Sequence, residues 1–166
     1  MKLVAAVAAL SLALCAARAD AQVPHIVGIW KLDVSASHLP GPPPQVHVRS
    51  YQLAPDGTLI GLAVVVNAQG RPNFLQFAAK PDGKDYSEYD SLSLAQLQID
   101  GTKPTTTYAE TPVDERTVEW TDKRDGRVVS HGRKWVSEDG KTLTFTALTK
   151  NAQNEDVEYR FVFDRQ

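Results

Sequence analysis

Two short alternating stretches carry the side chains with most chemical capacity. In Val129-Ser130-His131-Gly132-Arg133-Lys134-Trp135, every second position gives Val129, His131, Arg133 and Trp135, which puts a cation and a titratable ring beside an aromatic. In His47-Val48-Arg49-Ser50-Tyr51 the same period gives His47, Arg49 and Tyr51. Alternation places residues two apart on one face of a strand. The guanidinium of Arg133, assisted by His131 and Tyr159, is therefore the first candidate to hold an anionic or strongly polar head group, because its planar fork matches a carboxylate. Val128 and Val136 offer the opposite face of the first stretch, and Val46 and Val48 that of the second. The reading taken here turns Arg133 inward and leaves His47 and Arg49 the weaker set.

Other chemistry is poorly supplied. The four histidines, at 25, 38, 47 and 131, show no short ligand spacing, so no metal or other cofactor is expected. Ser130 adjoins His131 but points to the other side of a strand, which removes it as a nucleophile partner. Phosphate-cradling glycine loops and Gly-x-Ser-x-Gly are lacking.

The elements that must position these residues follow from punctuation. Asp-Gly recurs at 56–57, 82–83, 100–101, 125–126 and 139–140, with looser turns near 68–72 and 151–154. Asp-Gly between alternating runs marks hairpins, since such turns need positive φ. The runs between predict strands over 29–33, 45–53, 58–67, 73–80, 92–99, 105–110, 116–123, 127–136, 142–149 and 155–164. Leu92 to Leu97 also admits a helical turn. The fold class expected is all-β: an antiparallel up-and-down barrel of about eight to ten strands, which leaves no exposed edges and has an interior wide enough for one small ligand. Apolar alternation turns Leu143, Phe145 and Ala147 inward, with Val157, Tyr159, Phe161 and Phe163 facing them, and makes Trp120 core with Glu119 facing water. The prolines of 39–44 exclude that segment from a sheet and predict a long loop across one mouth.

Met1-Lys2, an apolar run to Ala17 and small residues around Ala19 and Ala21 have the layout of a signal peptide over 1–21, followed by one domain over 22–166. The protein is expected to be exported to a periplasmic or extracellular space. Cys15 has Leu14 before it where a lipoprotein signal has a small residue, so lipid anchoring is set aside. No segment has the length of a transmembrane helix. Residues 22–166 hold no Cys, and their 16 Lys and Arg against 19 Asp and Glu give a net charge of −3, which does not favour nucleic acid.

Gly28-Ile29-Trp30-Lys31-Leu32-Asp33, with Ser35 and Ser37 behind it, opens the first strand after a short cap around Pro24. A Gly-x-Trp in that place resembles the lipocalin-like, or calycin, superfamily, including secreted bacterial members without assigned roles. Thr121-Asp122-Lys123 approximates the second lipocalin motif. The resemblance implies that Gly28 and Trp30 are structural, with Trp30 closing the barrel beneath an arginine from a late strand, either Arg160 or Arg165. It also implies a carrier of a small apolar or amphipathic ligand. The binding set expected is Arg133, His131, Tyr159, Trp135, Phe145, Phe161, Tyr51 and Arg49. Two rival readings stay open: a cofactor-free isomerase, cyclase or lyase using His131 and Arg133, and a protein-binding or inhibitor module using the loop 39–44.

Overall fold

The computed structural model describes residues 24–166 apart from Pro40 and Ala152. The expected leader and Cys15 lie outside the described residues. Ten antiparallel strands form one closed sheet in which each pairs with its sequence neighbours and the first with the last. They are β1 (Gly28–His38), β2 (Val46–Leu53), β3 (Leu59–Val66), β4 (Pro72–Ala79), β5 (Tyr86–Asp90), β6 (Thr106–Pro112), β7 (Thr117–Arg124), β8 (Arg127–Val136), β9 (Thr142–Lys150) and β10 (Asp156–Arg165). This all-β, up-and-down closed barrel is compatible with a calycin-like fold. No described helix is long and apolar enough to cross a membrane.

The strand expected over 92–99 is instead a helix, α1 (Ser91–Asp100), and β5 just before it was not anticipated. Capping decides the matter. The Asp90 carboxylate accepts from the Ser93 amide at 2.7 Å, the Ser93 hydroxyl accepts from the Asp90 amide at 2.9 Å, and Gly101 ends the helix in left-handed geometry at φ 78°. Such a reciprocal cap satisfies amides that would otherwise lack partners. Asp100-Gly101 is therefore a helix end rather than a hairpin. Only Asp125-Gly126 has both residues at positive φ; at 56–57, 82–83 and 139–140 the glycine alone does.

The closed end is built around Trp30, which is fully buried. Its indole donates to the Ile26 carbonyl at 2.8 Å, within the single 3-10 turn Pro24–Ile26. Arg165 stacks over the ring at 4.1 Å. The same guanidinium donates to the carbonyls of Gly140, Val27 and His25 at 2.6, 2.8 and 2.8 Å. Of the two arginines anticipated, Arg165 is the one used. Gly28, at φ 144°, lies so close to the guanidinium that a Cβ would stand 2.6 Å from its Nη1.

Above this clamp β1 bulges between Asp33 and His38 while it pairs with β10. The Asp33 carboxylate accepts from the amides of Ser35 and Ala36, and the Ser37 hydroxyl accepts from the Val162 amide at 2.9 Å. The polar residues behind the Gly-x-Trp stretch thus hold the bend that lets the barrel close. Truncating Trp30 to Ala is expected to cost about 3–5 kcal/mol of folding stability, measured by denaturant titration, because it empties a buried site and strands Arg165.

Candidate functional site

The inward face of β8 is Ser130, Gly132, Lys134 and Val136, opposite to the expectation. Lys134 is fully buried, whereas the Arg133 side chain is 59 % exposed. Arg133 pairs with Glu119 outside the barrel, its Nε and Nη2 donating to one carboxylate oxygen at 3.0 and 2.6 Å. His131 is exposed and Trp135 half-buried on that same outer side. The cause lies in β7: Trp120 registers with Gly132, and its indole spans that position to donate to the Thr146 carbonyl at 3.1 Å. A Cβ on residue 132 would collide with that carbonyl. The packing of Trp120 therefore makes 132 an inward glycine and sends 131 and 133 outward. An exterior trough of about 600 Å³ runs past His131 and Arg133, and its charged wall is the solvent-exposed Arg133–Glu119 pair.

The second alternating set is the one that turns inward. His47 and Tyr51 are buried, and Arg49 lies between them. The Arg49 guanidinium sits over Phe145 at 4.3 Å and over Phe163 at 5.6 Å, and its Nη1 donates to the Tyr51 hydroxyl at 3.3 Å. Tyr159 and Phe161 pack against the core from β10, with Phe161 6.0 Å from Phe145. Tyr51, Arg49, Phe145, Tyr159 and Phe161 thus share the interior; Arg133, His131 and Trp135 do not join them.

Alternation on neighbouring strands brings in four residues not anticipated. Glu88 comes from β5, Glu110 from β6, Asp122 from β7 and Lys134 from β8. Lys134 donates to Glu110 and to the Tyr108 hydroxyl, and Tyr108 donates to Glu110. The ammonium also lies 4.6 Å from the Tyr51 ring centre. These groups satisfy one another, as a buried ion pair requires. Arg49, Glu88 and Asp122 are different: they line an enclosed chamber of about 40 Å³, and none makes an ion pair among the described residues. Arg49 Nε and Asp122 Oδ1 are buried without hydrogen-bond partners.

Burial raises the Glu88 carboxyl from 4.5 to about 8, with the charge of Asp122 adding to the effect and Arg49 opposing it. Asp122 is raised from 3.8 to about 6, again by burial, with Arg49 and Lys134 opposing. Desolvation, then the neighbouring Arg49 charge, hold the His47 ring far below its usual 6.5, at about 3. In near-neutral solution His47 and Glu88 are therefore uncharged.

At the mouth opposite Trp30 lies a recess of about 400 Å³, lined by Pro42 and Pro44 of the β1–β2 loop together with Val65, Tyr159 and Phe161. His47 belongs to this lining too, and its Nε2 is buried and unpartnered. Of the loop expected across one mouth, Leu39, Gly41, Pro42 and Pro44 line this recess. His25 and His38 belong to neither recess. Among the described residues no group of three or more His, Cys, Asp or Glu is placed to hold a metal ion.

The sequence did contain a signal for the missed set. Val118, Trp120 and Asp122 alternate on one face, as do Tyr108 and Glu110, and a mid-strand glycine opposite a tryptophan suits close aromatic packing.

The titrations set a pH window. Glu88 has its folded pKa raised, so its contribution is present below 4.5 and is lost as pH climbs toward 8. His47, depressed, works in the opposite direction below 6.5, and Asp122 finishes near 6. Between 6.5 and 8 Glu88 alone dominates the buried set, so stability should fall there by up to about 1.4 kcal/mol per pH unit. Glu88→Gln should flatten that slope in thermal or denaturant unfolding; an unchanged slope excludes this assignment. Compared with protein-family models and with curated proteins, the chain matches none.

Proposed function

We propose that this protein is an exported, lipocalin-like binding protein whose ligand is a small amphipathic molecule seated in the mouth recess. One observation carries the reading: an apolar recess of about 400 Å³ at the open mouth, with the buried Nε2 of His47 lacking a partner. Binding sites for small molecules are mostly apolar hollows of roughly 300–1,000 Å³ with a few converging polar groups. The apolar body lies against Tyr159, Phe161, Val65 and the prolines of the loop. The polar head points inward, toward His47 and Arg49.

Support for the lipocalin-like part comes from the Gly28-x-Trp30 opening, the stacking of Arg165 on Trp30 and the ten-strand closed meander. Export rests on the leader-like sequence of residues 1–21. The binding role expected of Arg133 and His131 passes to Arg49 and His47, which share the interior with the aromatic wall.

Isothermal titration with medium-chain alcohols, amides and fatty acids tests the proposal. Saturable binding is expected, with loss of at least about tenfold in affinity in Phe161→Ala or Tyr159→Ala, since each removes a large apolar contact. Arg133→Ala should leave affinity unchanged. A panel with no binding, or binding indifferent to both aromatic substitutions, overturns the reading.

A further inference from the structure

Beneath the mouth recess, the 40 Å³ chamber has a composition the mouth alone does not require. On one side stands Arg49, whose Nε has no partner and whose charge is matched by no ion pair among the described residues. Facing it are Asp122, whose Oδ1 is likewise unpartnered, and Glu88, with the rings of Tyr108, Trp120 and Phe145 as walls. The other charges bearing on the chamber are accounted for. Lys134 is paired with Glu110, and Asp90 is engaged as the cap of α1. Tyr51 is already bonded to Arg49. Phe161 of the mouth lining stands edge-on to Phe145 of the chamber lining, their ring centres 6.0 Å apart.

The two fully buried unpartnered atoms are therefore one donor and one acceptor. A buried water needs roughly 10–15 Å³, so about three water-sized groups fit. That is the size of a head of three heavy atoms. Charge balance narrows the choice further: Arg49 and Asp122 together form a near-neutral pair, so a carboxylate entering beside them would leave a net negative charge in a desolvated space. A neutral group that accepts from the arginine and donates to the aspartate leaves the balance intact.

We infer that the chamber is a head-group subsite for a neutral donor–acceptor function, a primary carboxamide being the best match, and that it selects carboxamides over carboxylates of the same chain. The inference rests on the mouth recess as the seat of the apolar body. Asp122 sets the preference: it accepts the amide N–H and repels a carboxylate. The raised carboxyl of Glu88 supports it, since its protonated form leaves Asp122 as the acid nearest to ionisation.

The test is calorimetric titration of the full chain, at roughly pH 7.5, with decanamide, decanoate and methyl decanoate, repeated on Asp122→Asn and on Phe161→Ala. The amide is expected to bind at least about tenfold more tightly than the carboxylate, and the ester, which lacks a donor, to bind more weakly than the amide. In Asp122→Asn, which retains shape and removes the charge, the carboxylate should gain and the difference shrink to within about threefold; circular dichroism confirms that the variant is folded. Equal affinity of amide and carboxylate for the parent chain, with loss in Phe161→Ala, overturns the subsite while leaving the mouth reading intact. An amide preference that survives Asp122→Asn unchanged also overturns it. Binding of none of the three probes overturns both.

Discussion

Everything in this molecule depends on β1 being able to lie against β10. An antiparallel meander left open would present two rows of unpaired amides and carbonyls, and closure removes them. The closure is secured at both levels of β1. Low down, one guanidinium from β10 covers Trp30 and gathers carbonyls from the entering segment and the β8–β9 turn. Higher up, the Asp33–Ser37 bulge bends β1 onto Val162. With the cylinder closed, alternation alone assigns each side chain to the lumen or to water. The chemistry of the lumen follows from that assignment.

What the lumen receives is unusual for so narrow a space. Five ionisable side chains, Arg49, Glu88, Glu110, Asp122 and Lys134, enter from five strands. Burying a charge is costly unless it is paired and hydrogen-bonded. Two of the five, Lys134 and Glu110, meet that condition in the triangle they form with Tyr108 beneath Tyr51. The other three do not, and the shifts of Glu88 and Asp122 are the expected response of carboxyls that burial penalises more than their cations relieve. One side of the interior is thus locked, while the other retains unused hydrogen-bonding capacity directly below an apolar recess.

The barrel was legible because its signals are local: turn glycines, alternating apolar positions and a loop of prolines. The faces of β9 and β10 were legible too, since Leu143, Phe145, Phe161 and Phe163 outweigh anything opposite them. β8 was not. Its inward face is Ser130, Gly132, Lys134 and Val136, with a single large apolar residue, and the face bearing Trp135 looked the better core. The packing of Trp120 over Gly132 settles the orientation, and a strand read alone contains no trace of its neighbour's indole. β2 failed for a related reason. Val46 and Val48 look like core, yet they sit on the outer wall, and the polar face turns in because Phe145, Phe161 and Phe163 are there to receive Arg49 and His47. The helix over 91–100 was hidden by its own alternation, and only the capping pair Asp90 and Ser93 distinguished it.

The seam between β5 and β6 has a consequence of its own. The two strands are paired at only two positions, Tyr86 with Tyr108 and Ser87 with Thr107, before α1 carries the chain away. Every other seam of the cylinder has a longer ladder than this one, the next shortest being the neighbouring stretch where β4 meets β5 at three. Glu88 sits just past the last β5–β6 pair. A ladder so short separates at the low end of a protein's local opening energies. The wall beside Glu88 is therefore held by fewer ladder pairs than any other seam of the cylinder.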